Sequence, residues 1–193
     1  MTYNPDKHHR QSIHLKNYDY RQAVAYYVTI CCYQKRCLLG KVIDGIMHPN
    51  LAGDTVQAAW ESLPRHFQFI ELDAFVVMPN HIHGIMVIKD SHHNIGLTRL
   101  NSPKLAIQPS LPKGTQSGSL GAIVQNFKSV TTRRINHLNH KQGTIWHRNY
   151  YDEIISNKEA YLNIRRYIRE NPLNWDNDEE NITYALNSLR GIV

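Results

Sequence analysis

The chain has 193 residues, 41% hydrophobic and 20% charged, which is enough to bury one core and unlike a disordered or collagenous composition. No apolar run reaches the ~18 residues that a membrane helix needs. The N-terminal "MTYNPDKHHRQ" also lacks the apolar stretch of a signal peptide, so a cytoplasmic protein with no membrane partner is expected. Lys and Arg number 22 against 16 Asp and Glu; the formal charge of +6 suits a polyanionic partner, and equally suits plain solubility.

Residues 1 to 22 are polar and basic and read as an arm. "AVAYYVTICCY" (23 to 33) is β-branched and aromatic, a first strand. Its cysteines, with Cys37, make an odd count and no C-x-x-C pair, so free thiols are expected. In "DTVQAAWESLPRHF", Val56, Ala59, Trp60 and Leu63 fall at helical spacing, with Asp54 as the expected N-cap. "FIELDAFVVM" (69 to 78) is a second strand; Pro79 and Asn80 turn the chain, and "HIHGIMVI" returns as a third.

Residues 89 to 118 have no periodicity and are rich in Ser, Pro, Gly and Asn, so a flexible loop is expected inside a single domain spanning 1–193. A second helix then aligns Leu120, Ile123, Val124, Phe127, Ile135 and Leu138, with Lys128, Arg133 and Arg134 off that stripe. "TIWHRNYYDEII" (144 to 155) reads as a fourth strand. Ser156 and Glu159 form a capping-box pattern before a last helix, which Pro172 should end near Asn171. The order β-α-β-β-α-β plus a C-terminal helix predicts an α+β fold: a small antiparallel sheet with helices packed on one face.

Two pairs of residues carry chemistry. His81 and His83 are two apart on a strand and share one face, with Ile82 opposite. Two neutral imidazoles on one face can hold a divalent ion, although with 12 histidines the tripeptide alone favours a chance H-x-H of two buried, hydrogen-bonded core histidines. Tyr167 and Asn171 are four apart on the last helix, neighbours on one side. Asn171 offers a carbonyl oxygen to a hard cation, and Tyr167 a phenol able to attack phosphate. Ala160, Ile164 and Ile168 share that side, so Tyr167 also fits as a core tyrosine with its hydroxyl at the edge.

"VVMPNHIHGIMVI" resembles the histidine-hydrophobe-histidine (HUH) signature of single-tyrosine transposases. "IWHRNYYDEIISNKEAYLNIRRYIRENPLNW" and "NYDYRQAVAYYVTICCYQKRCLLG" are similar to the C-terminal block and the first strand of REP-associated tyrosine transposases. The resemblance covers about residues 10 to 175, with its blocks in the family's order. It implies an HUH-type fold and a transposase-type single-stranded DNA endonuclease and strand transferase. His81, His83 and Asn171 would hold one divalent metal, Mg²⁺ or Mn²⁺, and Tyr167 would be the nucleophile of a 5′-phosphotyrosine intermediate. Single-stranded or hairpin DNA is the implied partner, and the chain could be a monomer or a homodimer.

Arg10, Lys16 and Arg21 of the arm, Lys128, Arg133 and Arg134 of the second helix, and Arg148 are candidate DNA contacts; each also fits as a solvated cation. Around Arg148, Trp146, His147, Tyr150 and Tyr151 interleave rings with cations, which suits base stacking or, for Trp146, a packed strand. Two alternatives fit the same residues: a domesticated DNA-binding protein of the same fold, and a metal-dependent phosphodiesterase that uses water.

Overall fold

The computed structural model describes residues 24–89 and 118–182. The basic arm with Arg10, Lys16 and Arg21, and nearly all of the 89-to-118 segment, lie outside the described residues.

Four antiparallel strands form the main sheet: β1 (Val24–Cys31), β4 (Ile70–Val77), β5 (His81–Ile88) and β6 (Tyr151–Ile154), in the order β4-β5-β1-β6. Strand alternation sorts β5 and β1 into two faces. Tyr26, Val28 and Ile30 of β1 join Ile82, Met86 and Ile88 of β5 on one face. There they pack against α1 (Leu51–Glu61) and α3 (Leu120–Leu138) through Val56, Trp60, Ile123, Val124 and Phe127. Gly84 lies on this face, and a Cβ there would collide with the ring of Trp60, which stacks on Phe75 at 4.7 Å. Its lack of a side chain lets the tryptophan lie flat on the strand.

The opposite face is smaller. Thr29 pairs with His83, Tyr27 with Ile85 and Cys31 with His81. α4 (Lys158–Glu170) covers it, burying Ile168 against Tyr27 and Ile85 with Ile164 alongside. Asp73 sits where the β4–β5 register shifts, between Leu72 and Phe75, and fastens α4 by accepting from Tyr161 Oη and by an ion pair with Arg165, whose Nε lies 3.0 Å from the carboxylate.

Several local expectations shift. A hairpin of β2 (Gly40–Ile43) and β3 (Ile46–Pro49) stands where none was expected. Its signal is Asp44-Gly45, both at positive φ, the dipeptide that tight hairpin turns require. The first helix begins on Asn50, not Asp54: Asn50 Oδ1 accepts from the N–H groups of Ala52 and Gly53, which leaves Asp54 in the first turn. The rest of that predicted helix is a separate turn, α2 (Leu63–His66), with Pro64 at its start. Asn157, not Ser156, caps α4, accepting from Ala160 N–H at 2.8 Å.

β6 is shorter than the predicted strand; the residues before it meet the end of β1 through an isolated bridge between Cys32 and Trp146 and a hydrogen bond from His147 N–H to the Cys31 carbonyl. Trp146 is buried and donates from Nε1 to Thr131 at 2.8 Å. Leu138, at the exposed end of α3, drops off the buried stripe. The three cysteines are free thiols.

Candidate functional site

His81 and His83 open β5 on the face under α4, and both are buried. Their Nε2 atoms converge to 3.0 Å. Ligand nitrogens at about 2.1 Å from one ion lie about 3 Å apart when they meet at right angles, so the pair fits a shared cation.

The other ring nitrogens are held from outside. Asn80 Nδ2 donates to the carbonyls of Glu180 at 2.7 Å and Lys35 at 3.2 Å. Its Oδ1 therefore faces His81 Nδ1 at 2.8 Å and must accept from it. That bond leaves a lone pair on His81 Nε2. His83 Nε2 then carries the proton between the two rings, and His83 Nδ1 accepts from the hydroxyls of Tyr27 (2.7 Å) or Thr29 (2.8 Å). Because hydroxyls donate or accept by rotating, His83 can move its proton to Nδ1 and free Nε2 for a metal without losing its partners. Burial holds both imidazoles below the usual histidine pKa, aided at His83 by His81 and opposed at His81 by Asp178 and Glu180. The pair is thus neutral near pH 7, the form that ligates.

α4 and the 3-10 helix after it (Asn171–Asn177) supply the remaining groups. Pro172 forces the change of helix at Asn171, which is buried. Asn171 Nδ2 donates to Asp178 Oδ2 at 3.0 Å, whereas its Oδ1 is buried and has no hydrogen-bond partner among the described residues. Tyr167 lies one helical turn earlier on the shoulder of the site, 48% exposed, with its ring edge-on to His83 (5.3 Å) and to Tyr27 (6.3 Å). Its phenol is pushed up to about 12, mainly by burial and by the Asp178 charge, against a hydrogen bond with Asn171 that lowers it.

Sequence reasoning missed Asp178. Its Oδ2 lies 4.0 Å from His81 Nε2, and His81, His83 and Asp178 bring ligand atoms within 4.8 Å of one another. No spacing rule links it to β5, because only the fold-back after Pro172 brings it there. Asn80 carried a signal only as a turn residue beside the histidines.

The candidate DNA contacts separate. Arg133, Arg134 and Arg148 are exposed. Lys128 is half-buried, and its Nζ donates to the carbonyls of His147, Arg148 and Asn149 at 3.0–3.2 Å, above the Tyr150 ring. Burial lowers its pKa to about 8. Its charge holds the loop that carries Arg148.

No helix among the described residues is long and apolar enough to cross a membrane. No protein-family model matches the sequence. An uncharacterized protein of Haemophilus influenzae is 39% identical over 177 residues, covering 92% of this chain and 96% of its own. Among solved structures, a REP-associated tyrosine transposase bound to a REP hairpin is similar over 92% of this chain and 86% of its own, with a TM-score of 0.56 at 15% identity. The chain therefore belongs to one family with the Haemophilus influenzae protein, and its fold is that of the REP-associated tyrosine transposase.

Proposed function

We propose that this chain is a single HUH-type domain that cleaves and rejoins single-stranded DNA beside a hairpin. The observation that carries this reading is the meeting of His81, His83, Tyr167 and Asn171 on one sheet face, from two segments far apart in sequence. A transposase of this fold bound to a hairpin supports the choice of substrate. His81, His83 and the unpartnered Asn171 Oδ1 would hold Mg²⁺ or Mn²⁺. When bound, such a cation would supply positive charge to the scissile phosphate and orient it.

The chain's own residues account for the other roles. Ile168 and the Asp73 contacts to Tyr161 and Arg165 fix α4, which holds the Tyr167 backbone beside the histidines. In the reaction the Tyr167 O–H bond breaks, Oη bonds to phosphorus, and the bond from phosphorus to the 3′ oxygen breaks. The 3′ oxygen leaves with a proton, and the 5′ phosphate stays on the tyrosine. Rejoining is the same step reversed, with no water consumed. Arg133, Arg134 and Arg148, all exposed, would contact phosphates.

The test is incubation with single-stranded hairpin DNA and Mn²⁺, followed by denaturing electrophoresis. A covalent protein–DNA band is expected. Cleavage without that band would give the water-using phosphodiesterase, and hairpin binding without cleavage the domesticated binding protein.

A further inference from the structure

Acceptors outnumber donors around the two histidines. Asp178 is 3% exposed at its side chain, and the one basic side chain within 4.0 Å of it among the described residues is His81. His81 gives its N–H to Asn80 and turns a lone pair toward the carboxylate. Asp178 Oδ1 accepts from Glu180 N–H at 2.6 Å and Oδ2 from Asn171 Nδ2 at 3.0 Å, which satisfies part of the carboxylate and none of its charge. Beside it, Asn171 Oδ1 is buried and unpartnered. An anion and two imidazoles whose ligand atoms lie within 4.8 Å of one another, with an orphan carbonyl on the anion's hydrogen-bond partner, form a donor set suited to a cation.

The segment carrying Asp178 is also built to stay there. Lys35 Nζ pairs with Glu180 at 3.3 Å and donates to the Glu179 carbonyl at 3.0 Å. Asn80 Nδ2 holds the Glu180 carbonyl, and Asn181 Nδ2 holds that of Trp175 at 2.9 Å.

We propose that Asp178 is a fourth protein ligand of the divalent cation, which makes the donor set His81, His83, Asn171 and Asp178. This rests on the metal site proposed above and adds an anionic oxygen to it. A carboxylate and a carbonyl beside two imidazoles favour a hard ion such as Mn²⁺ or Mg²⁺ over a thiophilic one. One carboxylate also leaves the loaded site with a net positive charge for phosphate.

The alternative is that Asp178 acts only through Asn171, by holding its amide. Isothermal titration of the DNA-free full-length protein with Mn²⁺ separates the two. Wild type should bind one ion, and His81→Ala should abolish binding. Asp178→Ala and the near-isosteric Asp178→Asn should each weaken binding at least tenfold. In an Asn171→Ala background no amide remains to be positioned, so adding Asp178→Asn should still cost a further tenfold or more. Circular dichroism melts of the metal-free variants confirm folding. If the double variant binds as tightly as Asn171→Ala alone, Asp178 is no ligand, and only this inference falls. If wild type binds no Mn²⁺, the metal site itself falls with it.

Discussion

Tyr167→Phe isolates the phenol oxygen from everything else that residue does. The ring would stay edge-on to His83 and Tyr27, so no cavity forms. The residue is 48% exposed, and the lost hydroxyl bond is worth about 1 kcal/mol at most. For a chain of this size that is a melting shift of about 2–4 °C. Hairpin binding should survive, whereas the covalent adduct should vanish altogether.

The wild-type pH profile tests the same oxygen. With its phenol near 12, about one Tyr167 in ten thousand is ionised at pH 8. If the phenolate attacks, the cleavage rate at saturating Mn²⁺ should rise close to tenfold per pH unit between 6.5 and 8, flattening earlier to the extent that the cation lowers the phenol. Tyr161→Phe is the control: it loses the Asp73 bond and hence some stability, yet should still form adduct. Mass spectrometry of trapped adduct should place the DNA on the peptide containing Tyr167. Adduct on another tyrosine, or persisting in Tyr167→Phe, would refute the assignment.

Because burial keeps the folded His81 and His83 below the usual histidine pKa, the unfolded chain takes up protons first on acidification. Their contribution to stability should be intact above about pH 6.5 and decline as pH falls below it; metal-free melts should show this, and a His81→Ala/His83→Ala double variant should flatten it. Replacing exposed Arg133 and Arg134 together should weaken hairpin binding and reduce the slope of log affinity against log salt by about 1.5; an unchanged slope would mean that α3 does not face DNA. Gly84→Ala should cost about 1–3 kcal/mol in a denaturant melt, because its Cβ displaces Trp60. That damage is on the far face, so Mn²⁺ affinity of the folded fraction should be unchanged.

Much of this fold is local in origin and was open to sequence reasoning. A period of two puts His81 and His83 on one face of β5, whatever covers them. A spacing of four puts Tyr167 and Asn171 a turn apart, and Pro172 ends the helix there. The apolar stripe of α3 likewise follows from its own spacing, except at Leu138, the last residue of the helix, which is exposed. Asp44-Gly45 encoded a hairpin too, but strands of four residues with mostly exposed side chains give no periodicity to support it.

What the tertiary structure alone decided is which distant groups share a space. Asp178 reaches the histidines because the chain doubles back after Asn171 and is pinned by Lys35, and the Glu180 carbonyl brought with it turns the Asn80 amide toward His81. Lys128 looks like any other cation off the α3 stripe; only the path of residues 147–149 commits it to three carbonyls. Periodicity fixes which way a side chain points from its own backbone. Long-range chain closure fixes what it meets, and that carries no repeat that a sequence can display.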